Sequence, residues 1–329
     1  MSEFNVHAPS RRQVLQMAAG TFVLSGMLIG KRYRRRLIRH QLQTMGTTAD
    51  LAVVHHDNRY ARAALQAAAS ELQRVEALMT RFDHGSDIGR ANALAGLQRA
   101  SVSPETARVV QRALHWAELT NGAFEPAIAR VVDLWDVKQR HVPPPADVVQ
   151  RLANRGLYRR IDVDADARSA SLFVRESDAA IDLGGIAAGY GVDRAVAVLR
   201  DWGITDGFIN VGGDIYALGH SLDDEPWDVG IRSPTDPTEM IGVQRLTDGA
   251  IATSGDYEQG YTYKGRRYHH IMDPSTAEPR KSPLHSVTIS APTCIEADAA
   301  TTAVFGWPAD RAQQLIGSCS PGARLVGSA

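Results

Sequence analysis

Many short strand-like runs with helices set between them predict an α+β fold, with mixed or antiparallel sheets and packed helices. Three observations carry this expectation. From Gly207 onward, strand-sized runs recur between turn residues without a helix after each one. Arg59–Thr80 places Leu65, Ala68, Ala69, Leu72, Val75, Leu78 and Met79 at helical spacing. The pattern lacks the uniform strand–helix alternation of a doubly wound parallel sheet. The 329 residues, 44% hydrophobic and 22% charged, give ample chain for a core. No repeat and no break in composition forces a division, so 41–329 reads as one domain behind a distinct segment, 1–40.

That first segment explains the charge. Of 36 basic and 37 acidic residues, eight Lys or Arg and one acid, Glu3, fall within it, so the remainder carries a net −8. A body of that sign argues against nucleic-acid binding. Ser10-Arg11-Arg12-Gln13-Val14-Leu15 resembles a twin-arginine export signal, and an apolar run from Met17 to Gly30 follows. The run is shorter than the roughly 20 residues that span a membrane and fits a signal h-region. Such export leads to the periplasm, an oxidising compartment. A basic cluster, Lys31–Arg36, follows the run directly, and no A-x-A cleavage site is evident. The segment is therefore either an export signal or a retained anchor at the inner membrane. Cys294 and Cys319 form one disulfide at most, or remain two buried thiols.

Taken in order, Gln41–His55 alternates loosely and reads as a first strand bent at Gly46. Arg59–Thr80 is the amphipathic helix. Phe82–Asp87 is a loop in which Ser86 or Asp87 caps a short turn toward Asn92. Pro104 opens a helix to Thr120, stopped by Asn121-Gly122. Ala123-Phe124-Glu125-Pro126 starts a short helix through Trp135. Pro143–Pro145 marks a surface connection, and a helix over Asp147–Arg155 precedes strands at 160–163, 171–174 and 179–181. Asp182–Arg194 then opens a helix of about four turns ending near Asp201. Gly207–Gly219 is two strands broken at Gly212-Gly213. Short strands follow at 227–231, 241–246, 250–253, 261–263 and 268–272, with a hairpin turn at Lys264-Gly265. His285–Ser290 is a last central strand and Glu296–Phe305 a helix.

Five stretches carry candidate chemistry. Asp182-Leu183-Gly184-Gly185 leaves an apolar run and enters a helix. Its glycines admit a close ligand backbone, and the helix N-terminus suits an anion such as phosphate. Asp182 can bind a ribose or orient the turn, and the whole is equally a plain strand-to-helix connection. The spacing is neither the Rossmann nor the Walker pattern. Asn210-Val211-Gly212-Gly213-Asp214 is a second glycine turn, which Asp214 can fix. Thr253-Ser254-Gly255-Asp256-Tyr257-Glu258 gathers hydroxyls, a glycine and a carboxylate in one loop. Strand alternation points His269 and His270 to opposite faces, so one imidazole can face a cleft as a general base. Asp298 and Thr302 share a helix face at i and i+4 and suit a hard cation such as Mg²⁺, or else serve only their own helix.

Together these stretches resemble the FAD:protein FMN transferase (ApbE) family. The resemblance adds Met45-Gly46-Thr47, Ala123–Pro126 and His270-Ile271-Met272-Asp273-Pro274, all in the family's order between about residues 41 and 310. It implies an ApbE-like, T-fold-related flavin-transferase fold with a flavin cleft between sheet and helices. It implies Mg²⁺-dependent transfer of FMN from the substrate FAD to a Thr or Ser hydroxyl of a redox protein, releasing AMP. The acceptor implied is a flavoprotein subunit of an electron-transfer complex. Carried over by position, His270 is the base, and Asp298, Thr302 and the Gly185 carbonyl are metal ligands. Met45, Phe82, Ala123, Phe124, Glu125, Asp182, Ala188 and Ile271 are FAD contacts. Three positions depart from the family. Ala188 replaces a frequent Lys or other polar residue, Ala277 a common Gly, and Glu125 the usual Asp. Two other outcomes use the same site: hydrolysis of FAD to FMN and AMP, or FAD binding and delivery without catalysis.

Overall fold

A computed structural model of the protein describes residues 23–24, 34–166, 168–236 and 238–329. The twin-arginine stretch and most of the apolar run lie outside the described residues. Within that run, Val23 and Leu24 pair antiparallel with Val229 and Asp228.

Seven strands form the central sheet. They are β1 (Arg36–Thr44), β2 (Thr47–His55), β3 (Gly207–Val211), β4 (Asp214–Leu218), β5 (Gly249–Gly255), β6 (Ser286–Ala291) and β7 (Arg324–Ser328). Their spatial order is their chain order, and every neighbouring pair is antiparallel. The sheet is thus a meander, and the helices sit in its connections.

Strand β1 begins at Arg36, so residues 36–40 pair in the sheet although they were assigned to the preceding segment. The expected single bent strand is a hairpin. Met45 and Gly46 make its two-residue turn at φ of +52° and +72°, the left-handed geometry that matches strand twist.

Both faces of the sheet are buried, which alternation along β2 explains. Ala49, Leu51 and Val53 join the main core on one face. Ala52 and Val54 join Phe208, Ile215, Ala217 and Trp227 on the other, beneath the hairpin of Trp227–Arg232 and Met240–Leu246. Across the first face pack α1 (Asn58–Met79), α3 (Ala187–Asp201) and α4 (Cys294–Val304), with α2 (Pro104–Leu119) outside them. The alanines of α1 at positions 61, 64, 68 and 69 are fully buried and let α3 approach closely.

Helices α1 and α2 cap themselves. Asp57 accepts from Arg59 N and Tyr60 N, and Ser103 from Thr106 N. Neither α3 nor α4 has a side-chain cap of its own. Each is capped by the other. Asp193 of α3 accepts from Cys294 N at 2.8 Å and Ile295 N at 2.9 Å. Asp298 of α4 accepts from Gly189 N at 3.0 Å. A side chain at Gly189 would bring its Cβ within 2.4 Å of the Cys294 carbonyl oxygen, so only glycine permits the approach.

Three further expectations need correction. The helix expected from Ala123 begins at Ala129, because 123–127 is held irregular by side-chain bonds. Residues 179–181 form no strand, only a lone parallel bridge from Ala180 to Ile128. The strand expected over 268–272 stops at His269 and resumes at Met272. The helix Ala309–Cys319 and strand β7 were not anticipated. Both cysteines are free thiols.

Asp193→Ala leaves two N–H groups of α4 without a partner and should cost about 1–2 kcal/mol. Urea denaturation of wild type and variant measures it, and an unchanged midpoint would contradict the reciprocal capping.

Candidate active site

A cleft of about 560 Å³ opens where the β1–β2 turn, the start of α3 and the inward face of α4 converge. All twelve residues singled out by resemblance line it.

The Met45-Gly46 turn forms one wall. Met45 holds a left-handed φ that non-glycine residues rarely adopt. A Cβ at Gly191 of α3 would lie 2.6 Å from Met45 Cε, so that glycine makes room for the methionine. Opposite lie Phe124, buried, and Phe82, 80% exposed at the rim with the Arg81 guanidinium 4.3 Å above its ring.

The two carboxylates expected at the flavin each tie their own loop to a distant segment. Asp182 accepts from Gly184 N at 2.8 Å through Oδ1 and from Arg81 Nε at 2.7 Å through Oδ2. Of its two sequence readings, orientation of the turn is the one these bonds perform. Glu125 is buried and accepts from Ala127 N and Tyr158 N, and burial raises its carboxyl above the ordinary range. Ala188 lines the cleft without a polar group, while Arg81 nearby supplies a cation that sequence reasoning missed.

Asp214 does not fix its turn as expected. Asn210 Oδ1 does so, accepting from Gly213 N at 2.9 Å. Asp214 instead faces the cleft with Asp298. Burial, then the charges of Asp298 and Asp193, holds the Asp214 carboxyl well above the usual range. Asp298 is pushed up to about 7 by burial and by Asp193, against the Gly189 N–H that favours its charged form. Thr302 lies one turn on, and a Cβ at Gly185 would meet its Oγ1 at 3.0 Å. The hydroxyl and the glycine main chain are therefore adjacent. Among the described residues no three acidic, His or Cys side chains form a metal cage. An anionic, oxygen-rich and incomplete donor set fits a hard cation that takes its other ligands from water or phosphate.

The paired histidines divide as expected, but by a bend and not by alternation. His269 Nδ1 accepts from Ile271 N and its Nε2 donates to the Arg280 carbonyl at 2.9 Å, so the ring is neutral and structural. His270 faces the cleft, its Nδ1 buried without a partner. Burial, with the neighbouring His269, holds its pKa at about 4, so the ring is neutral at pH 7. Ala277 keeps the following turn in spite of lacking glycine's freedom. It takes φ of +53° and donates to Asp273 O at 2.7 Å. The Thr253–Gly255 stretch, expected as a loop, ends β5, and Ser254 Oγ donates to Thr301 Oγ1 of α4.

The sequence profile of the ApbE family matches residues 45–325. The chain belongs to the ApbE family. An FAD:protein FMN transferase of Klebsiella pneumoniae (strain 342) is 31% identical over 274 residues, covering 82% of this chain and 83% of that protein. One from Treponema pallidum (strain Nichols) is 32% identical over 259 residues, covering 74% and 71%. The solved ApbE protein of Thermotoga maritima aligns with a TM-score of 0.78 at 28% identity, over 88% of this chain and 94% of that one. The flavin transferase ApbE of Vibrio cholerae aligns at 0.75 and 25% identity, over 86% and 91%. The α+β, ApbE-like fold expected from sequence is thus the observed one.

A proton on Asp298 competes with a cation, so any divalent cation that this cleft takes should bind more tightly as pH rises. Below about 7 the affinity should weaken by up to tenfold per pH unit. Calorimetry of Mg²⁺ binding in buffers of differing ionisation enthalpy reads the displaced proton, and Asp298→Asn should abolish both binding and proton release.

Proposed function

We propose that this protein transfers FMN from FAD to a hydroxyl of an acceptor protein, with Mg²⁺ at the diphosphate. One observation carries the reading. A neutral imidazole with an unpartnered ring nitrogen shares a cleft with the carboxyls of Asp214 and Asp298. That is a proton acceptor beside a site for a cation and a polyphosphate. The relatives named above as FAD:protein FMN transferases support it.

In this reading the acceptor Thr or Ser oxygen attacks the FMN phosphorus of FAD. A new P–O bond forms, the P–O bond to the AMP phosphate breaks, and AMP leaves with the electron pair. His270 takes the hydroxyl proton, a contribution typically worth about 10²–10⁴-fold. Bound Mg²⁺ would supply charge neutralisation at the phosphates, held by Asp298, Thr302 and the Gly185 carbonyl. The start of α3, whose Gly189 N–H is already taken by Asp298, adds a partial positive charge on the same side. Phe124 and Ile271 give the isoalloxazine an apolar wall, and Phe82 closes the rim.

The acceptor in this reading is the flavoprotein subunit of an electron-transfer complex, met in the periplasm. Export by the twin-arginine route, with the first segment either cleaved or kept as an anchor, is supported by Ser10-Arg11-Arg12 and the apolar run after it. Among the described residues no helix is long and apolar enough to cross a membrane.

Two experiments test this. Incubation with FAD, Mg²⁺ and an acceptor domain should add one FMN to the acceptor's intact mass, and His270→Ala should slow this by at least about 100-fold. AMP release with an unmodified acceptor would instead indicate hydrolysis, and tight FAD binding with neither product a carrier. For export, Arg11→Lys combined with Arg12→Lys should keep the protein in the cytoplasmic fraction. Its arrival in the periplasm regardless would rule the route out.

A further inference from the structure

Arg280 lies outside the twelve residues discussed, yet it touches three walls of the cleft. Its main chain brackets the base. The Arg280 N–H donates to the Ile271 carbonyl at 2.8 Å, and its carbonyl accepts from His269 Nε2 at 2.9 Å. The residues on both sides of His270 are thereby tied to one point. Its side chain runs the other way. Nη1 donates to the carbonyls of Thr302, Ala303 and Phe305 at 3.3, 3.2 and 3.1 Å, which close the C-terminal end of α4. Nη2 donates to the Ala123 carbonyl at 2.7 Å, at the head of the flavin wall.

The residue is only 8% exposed. Among the described residues every hydrogen bond of the guanidinium goes to a main-chain carbonyl, and Asp273 is the acid that acts on its charge. A buried cation without a carboxylate against it is costly, and the dipole of α4 offsets part of that cost. The planar fork allows one side chain to hold two separate backbone segments at fixed directions, which an ammonium does not do. The carbonyl of Thr302 is among those held, and the Thr302 hydroxyl is a proposed metal ligand.

We propose that Arg280 is a positioning residue that fixes the His270 segment relative to the Thr302 end of α4 and the Ala123 loop. This rests on the transfer reaction proposed above. An error of about 1 Å in such a spacing can cost on the order of 100-fold in rate. Arg280→Lys keeps the main-chain bracket and the charge but cannot span both sets of carbonyls.

The test compares wild type, Arg280→Lys, Arg280→Gln, His270→Ala and the double variant His270→Ala/Arg280→Lys. It reads kcat for FMN transfer, FAD affinity by flavin fluorescence, and thermal stability. Arg280→Lys and Arg280→Gln should each lower kcat about 10–100-fold while FAD affinity moves less than about threefold. In the His270→Ala background, Arg280→Lys should cost less than about threefold further, because the base it positions is gone. Full activity in Arg280→Lys overturns the inference, since charge alone would then suffice. So does a loss carried by FAD affinity, a loss fully additive with His270→Ala, or unfolding in proportion to lost activity. Wild type that modifies no acceptor overturns the proposed reaction and this inference together. Wild type that transfers beside an equally active Arg280→Lys overturns the inference alone.

Discussion

Two helices that cannot start by themselves start each other, and the cleft depends on this. The N–H groups at the beginning of α3 and α4 lack local caps, and each helix lends an acid to the other. The bond from Gly189 N to Asp298 does two things. It satisfies an orphan donor of α3, and it fixes the rotamer of the carboxylate best placed for a cation. The start of α3 and the carboxylate of Asp298 are therefore not independent features. They are the two partners of one hydrogen bond.

The arrangement also concentrates charge. Asp193 and Asp298 are drawn into the interior by the caps they make, and Asp214 enters from the sheet beside them. Burial disfavours ionisation of each, and each charge disfavours the others. Asp193 has its two N–H donors as compensation, and Asp298 has one. Asp214 has only acids among the charged groups that act on it, which is where an added cation gains most. His270 is treated oppositely by the same burial, which keeps its ring neutral and able to accept a proton. One desolvated cleft thus sets up both a carboxyl-rich donor set that an added cation would help to ionise and a neutral imidazole.

Much of this was legible because the informative residues are contiguous. Met45-Gly46, Gly184-Gly185, Gly212-Gly213 and His270–Pro274 sit at turns, where a short word specifies local geometry. What stayed hidden depends on partners distant in sequence. Residues 179–181 look like a strand, but their backbone is satisfied elsewhere. Ile181 N donates to the Asn92 side chain and Asn92 Nδ2 donates back to the Ile181 carbonyl. No local pattern encodes an asparagine standing in for a neighbouring strand. Arg280 and Arg81 carry no local signal, because the carbonyls and carboxylates that hold them are distant in sequence. The helix Ala309–Cys319 buries only Ala312 and Ile316 completely, so its apolar stripe is thin in the sequence. Asp182 and Glu125 line the cleft, and their carboxylates also join loops to segments distant in sequence.

The meander has a consequence in time. Strands β2 and β3 are neighbours in the sheet, yet residues 56–206 separate them. Closing so long an excursion carries a large entropic cost before any pairing offsets it. Asp193 and Asp298 come from different excursions, so their exchange of caps waits on both. A refolding chain can therefore collapse and gain helix early while it still cannot hold a dinucleotide. Its signature is flavin quenching that lags behind recovery of the far-ultraviolet circular dichroism.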